Sequence, residues 1–280
     1  MLYQWLRLFR SDNGTLTDIS LENQDETATN VQDIVASEDY LYLGQQFPFN
    51  NFYYKSEVAN TNASTMALEY WDGSNWILAV DLLDGTRSTT KTLAKSGLVQ
   101  FSPNLHNRWQ ITYDTSEIGV GPTALNSITV YNMYWLRIKF SADLAITTES
   151  KKFCYCFSSH QQVAQKDSTL ANYLTAFGVT TWEDYIINAS IEVVNDLKRM
   201  SLIINRGQIL KIEDVSVATD WKTMMGLYFE LGGDYQEKYT NAIKRYADAI
   251  DLKSYTFDIN KNAMIEPIEM DYCQSRVLRT

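Results

Sequence analysis

The chain has 280 residues, 45% of them hydrophobic and 13% aromatic, enough to fill one large core or two ordinary ones, and that composition excludes general disorder. Its net charge of −10 is uneven, with 9 basic against 17 acidic residues over 1–150 and 15 against 17 over 151–280. Neither half offers the basic footprint of tight phosphate binding, which excludes sequence-specific nucleic-acid recognition.

No apolar run reaches the length of about 18 residues that a membrane-spanning helix needs. The first ten residues, Met1 to Arg10, alternate polar and apolar side chains instead of forming the apolar core of a signal peptide, and read as a first strand. Further strands are predicted at Tyr40–Leu43, Phe52–Val58, Met66–Trp71, Trp76–Val80, Leu98–Phe101, Trp109–Tyr113 and Trp135–Phe140, all short and rich in β-branched and aromatic residues. Turn signals separate them at Asp12-Asn13-Gly14, Asp72-Gly73-Ser74 and Asp84-Gly85-Thr86. Strands at this spacing predict an antiparallel β-sandwich, jelly-roll-like, over residues 1–150. The polar stretch Glu22–Val31 reads as loop.

Residues 151–166 read as a hinge, and the loss of clear periodicity already begins at 141. Beyond it the period becomes helical. Asp167 or Ser168 caps a short helix that stops near Gly178. Thr180 and Glu183 form a capping box. Trp182, Tyr185, Ile186, Ala189, Val193, Leu197, Met200 and Ile204 follow at intervals of three and four, a single helical face about 34 Å long at 1.5 Å per residue. A third helix covers Asp214 to Leu231 and is stopped by Gly232-Gly233. A fourth starts at Asp234 and carries Tyr235, Tyr239, Ala242, Tyr246 and Ala249. The sequence thus predicts an α+β multidomain protein: the sandwich, the hinge, a helical domain over 167–253, and an extended C-terminal arm over 254–280.

Little of this sequence points to catalysis. The two histidines, His106 and His160, stand beside no nucleophile elbow or metal motif. Gly119-Val120-Gly121-Pro122 runs into proline and not into a helix, so it reads as a turn. Asp81 and Asp84 flank a leucine pair, but Asp84-Gly85-Thr86 is ordinary turn chemistry. Cys154, Cys156 and Cys273 are too few for a disulfide scaffold and read as free thiols made in a reducing cytosol. No enzyme activity and no cofactor are expected.

Two patterns invite ligands. Asp258, Asn260, Asn262, Glu266 and Glu269 fall at positions one, three, five, nine and twelve of a calcium loop, but Ala263 takes the sixth place, where glycine normally permits the sharp turn, and Ser254 to Phe257 before it reads as extended, so the segment is assigned as a degenerate loop held by Asx turns and no metal is expected. The run Tyr70-Trp71-Asp72-Gly73-Ser74-Asn75-Trp76 suits either a sugar-stacking platform or a core; Tyr70 and Trp76 are assigned to the core and Trp71 is left open. Tyr235, Tyr239 and Tyr246 are large, half-polar contacts of the kind enriched at subunit interfaces, and suit an internal core equally well.

Segments between 38 and 142 (Tyr42-Leu43-Gly44, Phe47-Pro48-Phe49-Asn50, Asn60 to Ser64, Glu69 to Trp76, Asp84-Gly85-Thr86 and Tyr134 to Ile138) resemble a β-sandwich module of phage structural proteins. The helical half is similar to head–tail connector (adaptor) proteins of tailed phages, through Trp182–Asn205, Asp220-Trp221, Asp234 to Tyr239, Arg245-Tyr246, the Asp258–Glu269 loop, and Arg276 and Arg279. That resemblance implies a non-enzymatic virion protein of the neck, made in the host cytoplasm. In such proteins a helical bundle packs into a ring, commonly of twelve copies, beneath the portal protein, and C-terminal arms reach toward the portal. The implied partners are copies of the chain itself, portal, tail or neck proteins, and DNA that passes without sequence-specific binding; no membrane is involved. The interface would use Tyr235, Tyr239, Tyr246, Arg276 and Arg279. A carbohydrate-binding neck or tail decoration is the alternative.

Overall fold

The computed structural model describes residues 6–25, 30–103, 108–111, 133–251, 255, 257–258 and 262–263. The chain divides into two compact units, 1–154 with 260–264, and 155–259 with 265–280. Strands fill the first and helices the second, the α+β order expected from the two periodicities.

The strands are β1 (Arg7–Asp12), β2 (Thr15–Asp18), β3 (Asn30–Val31), β4 (Tyr40–Gln45), β5 (Asn51–Val58), β6 (Met66–Trp71), β7 (Trp76–Leu78), β8 (Val80–Asp84), β9 (Gly97–Ser102), β10 (Tyr134–Phe140) and β11 (Glu149–Cys154). They pair antiparallel in two sheets, ordered β2-β1-β4-β10-β6-β7 and β3-β11-β5-β9-β8. Local chemistry sets the hairpins. Asn13 (φ 44°) and Gly14 (φ 79°) both occupy the left-handed region between the paired Asp12 and Thr15, the two-residue turn whose twist matches its strands. Between β6 and β7, Asp72 Oδ1 accepts from the amides of Ser74 (2.9 Å) and Asn75 (2.7 Å), and Gly73 supplies a φ of 98°.

The first sheet is buried on both faces. Side chains alternate along each strand, so Leu8, Leu43, Leu136, Ile138, Leu68 and Tyr70 share one face. Tyr70 there meets Trp109 at 5.5 Å, and Trp109 meets Phe101 of the second sheet at 6.3 Å. The opposite face carries Phe9, Tyr42 and Trp135, all buried, with Leu16, Tyr40, Trp76 and Met133 packed around them. Arg137 lies on this face with its guanidinium 4.9 Å from the Tyr40 ring and 4.6 Å from the Trp76 ring, while its Nε donates to Glu69 at 2.7 Å. A sheet covered on both sides explains why adjacent residues Tyr70 and Trp71 are both buried.

Several boundaries differ from the sequence expectation. β1 starts at Arg7 and continues to Asp12, with residues 1–5 outside the described set. The expected strand Trp76–Val80 is broken at Ala79, and its two parts join different sheets. Only Ile111, which bridges to Tyr134, represents the expected strand Trp109–Tyr113, whose last two positions, 112 and 113, lie outside the described set. The stretch 141–166 that showed no periodicity contains β11 and a helix. In β11, Ser150 and Lys152 are buried along with Phe153 and Cys154, so polarity does not alternate with burial.

The helices are α1 (His160–Lys166), α2 (Glu183–Arg199), α3 (Ile212–Leu231) and α4 (Gln236–Ile250), with single turns at Ser168–Tyr173, Arg206–Gln208 and Gly233–Tyr235. α2 begins later than expected and lacks the Thr180 capping box. Its N-cap is Trp182, buried and without a side-chain cap bond. Glu183 and Asp184 in the first turn and Lys198 and Arg199 in the last complement the helix dipole instead. It also ends at Arg199, short of Ile204, with Ser201 turning to φ 58°. Asp167 caps the turn after α1 by accepting from the Thr169 amide at 3.0 Å, as its position predicted. α3 stops at Gly232 (φ 63°), whose amide bonds back to the Tyr228 carbonyl at 3.1 Å.

Candidate functional site

α3 sets the character of the helical unit. Ile212, Val215, Ala218, Met224 and Leu227 are buried, and so are its polar Thr219, Asp220 and Thr223, yet Phe229 is 70% exposed. In a helix buried around so much of its circumference, a large ring left in solvent marks a surface. Beside Phe229 lies an open groove of about 420 Å³, lined by Tyr185 and Glu192 from α2, Gly226, Phe229 and Glu230 from α3, and Tyr239 from α4. The Phe229 and Tyr239 rings approach to 5.9 Å. The Tyr185 hydroxyl donates to Glu230 at 2.9 Å; burial and that carboxylate push the phenol up to about 12.

In the groove's wall, Lys222 stands 3.1 Å from Glu192, 3.3 Å from Asp196 and 4.7 Å from the Tyr246 ring. Tyr246 donates to the same Asp196 oxygen at 2.5 Å. Burial pushes the Asp196 carboxyl up, but the Tyr246 hydrogen bond and the Lys222 and Arg199 charges outweigh it and hold the group below the usual carboxylate range. Burial and Asp196 both raise the Tyr246 phenol. This knot ties α2, α3 and α4 together.

A second knot fixes the segment after α1. Asp167 accepts from Lys238 (2.6 Å), Tyr228 (2.8 Å) and the Thr169 hydroxyl (2.6 Å). Burial acts upward on its carboxyl, and these donors together overcome it and leave the group well below its ordinary value. Tyr235 stacks on Tyr228 with centroids 5.7 Å apart, meets Tyr173 edge-on at 5.6 Å and shares a hydroxyl hydrogen bond with it.

Of the five residues assigned to an interface, Tyr246 is buried in the first knot, Tyr235 is half-buried in the second, and Tyr239 is half-buried on the groove rim. Arg276 and Arg279 lie outside the described residues, as do His106, Cys273 and Gly119 to Pro122. His160 Nδ1 accepts from the Trp182 amide at 3.2 Å, linking α1 to the start of α2. Cys154 and Cys156 are buried, and the Cys156 thiol donates to the Ser158 carbonyl at 3.2 Å. Asp84 accepts from the hydroxyls of Thr86 (2.5 Å) and Thr92 (2.6 Å), which makes it a loop organiser.

The calcium-loop residues Asn260, Glu266 and Glu269 lie outside the described set. Asp258 is buried, and its backbone exchanges hydrogen bonds with Gln208, accepting from Nε2 at 2.9 Å and donating to the carbonyl at 2.8 Å. Ala263 takes φ 58°, the left-handed backbone that the sixth position of such a loop demands. Among the described residues, no group of three or more His, Cys, Asp or Glu side chains is placed to hold a metal, and no helix is long and apolar enough to cross a membrane. The sugar-platform candidates are largely internal: Tyr70 and Trp71 are fully buried and Trp76 is half-buried.

Three contributors escaped the sequence reading. Gln208 closes a capping box with Asn205, and Asn-x-x-Gln is a legible signature of one. Lys238 is one more charge on a polar face until Asp167 is placed beside it. Gly226 did carry a signal, because glycine is out of place in the interior of a helix. Comparison of the chain with protein-family models, with curated proteins and with solved structures finds no match.

Proposed function

We propose that this chain is a structural protein of a tailed-phage virion, a ring-forming head–tail adaptor that joins portal to tail and lets DNA pass. The observation that carries this reading is Phe229 of α3, which stands 70% exposed beside an open groove walled by α2, α3 and α4, a surface that asks for a protein partner. In this reading the helices form a bundle that packs against copies of itself, commonly twelve, and the residues from 254 onward form an arm toward the portal that carries Arg276 and Arg279. The two sheets form a jelly-roll-like sandwich projecting from the ring as a docking domain. The protein's excess of acidic residues favours a channel that repels DNA phosphates, so that the genome slides without sticking. The resemblance noted in the sequence supports the same assignment, as do residue types free of catalytic grouping.

The alternative, a carbohydrate-binding decoration, loses its platform because Trp71 and Tyr70 face packed interiors. A reconstruction of the virion neck tests the proposal. The chain is expected as a closed ring between portal and tail, and particles made without it are expected to lack attached tails. Intact, tailed particles in its absence would remove the proposal.

A further inference from the structure

We infer that the α2–α3 groove receives helix α4 of a second copy of this chain, in a head-to-tail contact. Glycine is the poorest helix former after proline, yet Gly226 sits inside α3. No described residue requires it, because a Cβ added there would meet none of their atoms within 4 Å. Its remaining use is to let another backbone come close over the groove.

The outer face of α4 fits that place. Thr240, Ile243, Lys244 and Ala247 lie three, four and seven residues apart, on one side of the helix, and all are exposed. Ile243 supplies an apolar contact for Phe229, and Ala247 is small enough to lie over Gly226, the combination that lets two helices approach closely. The charges match as well. Lys244 and Arg245 make no ion pair among the described residues, and Glu230 in the groove has no cation partner among them; Lys222, which also lines the groove, is held by Glu192 and Asp196, so the groove keeps a negative excess. The groove is walled chiefly by α2 and α3 and the face belongs to α4, so each copy offers both. A contact of that kind is heterologous, and it closes into a ring when its rotation allows. The inference deepens the adaptor reading and rests on it only for ring closure.

Cysteine cross-linking tests it in the full chain carrying Cys273→Ser; Cys154 and Cys156 are buried. Gly226→Cys mixed with Ala247→Cys under mild oxidation should give a covalent mixed dimer, and the double variant a ladder of oligomers. Adding Lys244→Glu should lower the yield about tenfold, and Glu230→Lys should restore it. Circular dichroism of Gly226→Ala and of each cysteine variant establishes that the fold is retained. A folded mixture that yields no 226–247 product overturns the contact, as does Gly226→Cys dimerising with itself, the mark of a two-fold arrangement. Virions with the chain in the neck and no such cross-link sink the contact alone. Cross-linking by a chain absent from the neck sinks the adaptor reading and leaves the contact standing.

Discussion

The indole of Trp135 on β10 covers Gly44 on the adjacent strand β4 so closely that a Cβ at Gly44 would stand 2.5 Å from the ring. The ring is fully buried on the outer face of the first sheet, against Phe9 at 5.4 Å. It has no room to retreat. Gly44→Ala is therefore expected to cost about 1–3 kcal/mol, the usual penalty for overfilling a packed core. Gly226→Ala, which meets open space in a helix, is expected to leave stability unchanged or raise it by about 0.5–1 kcal/mol. Followed by tryptophan fluorescence, the urea midpoint should fall for Gly44→Ala and should hold or rise for Gly226→Ala. A Gly44→Ala protein with an unshifted midpoint would contradict the packing described.

Asp167 makes the helical unit acid-sensitive. Its carboxyl is held below the ordinary value, so the folded state binds a proton less readily than the unfolded chain. The stability it contributes is fully present above the unfolded value of about 3.9 and is lost as pH falls through the lower, folded value. Asp196 acts with the same sign. Asp220 opposes them: burial raises its carboxyl, and its contribution fades as pH rises through that raised value. Asp167→Asn is expected to be about 1–3 kcal/mol less stable than wild type near neutrality, from the loss of charge-assisted hydrogen bonds. The difference should shrink below about pH 4. Urea denaturation monitored by helical circular dichroism over a pH series measures both; a constant difference across that range would contradict the assignment.

Trp71 separates a core role from a sugar-binding one. It is fully buried and packs edge-on against Trp76 at 5.5 Å. Trp71→Ala should cost about 3–5 kcal/mol, the typical loss for a buried tryptophan. Glycan-array binding by the folded Trp71→Phe variant should equal that of wild type, whatever the level. A variant of full stability that loses glycan binding would return the side chain to a ligand surface.

How much of this was legible in the sequence depends on how local each cause is. β6 falls on the predicted residues, Met66–Trp71, because β-formers flanked by turn residues decide it locally. The Asn13-Gly14 turn and the Gly232 stop are equally local, since each rests on one residue's freedom to take positive φ. β11 was hidden because Ser150 and Lys152 are buried, which erases the alternation a strand usually shows. The break at Ala79 was hidden because the two halves of that segment obey different sheets, a tertiary fact. Asp167 could be read as a cap, but its ties to Tyr228 and Lys238 span 61 and 71 residues. The groove depends on three helices being brought together, so the sequence marked it only through the oddity of Gly226.

The tyrosines of α4 were equally suited to an interface or to an interior, and Tyr246 has an internal task. Its hydroxyl and the Lys222 ammonium converge on one Asp196 oxygen, at 2.5 and 3.3 Å, and Lys222 also lies over the Tyr246 ring. Removing Asp196 leaves the Tyr246 phenol without its acceptor and Lys222 with only the more exposed Glu192, whereas removing Lys222 leaves Asp196 with Tyr246 and Arg199. Asp196→Ala is therefore expected to be the most harmful single change, at about 2–4 kcal/mol. Lys222→Met should be milder, because its stem can still pack. The double variant should be less destabilised than the sum of the two, with a coupling of about 1–2 kcal/mol, since the methionine no longer misses its carboxylate. Tyr246→Phe keeps the ring under Lys222 and should cost about 1 kcal/mol. Strict additivity in this cycle, measured by urea denaturation, would mean that the three side chains do not act as one unit and that Tyr246 is free to serve elsewhere.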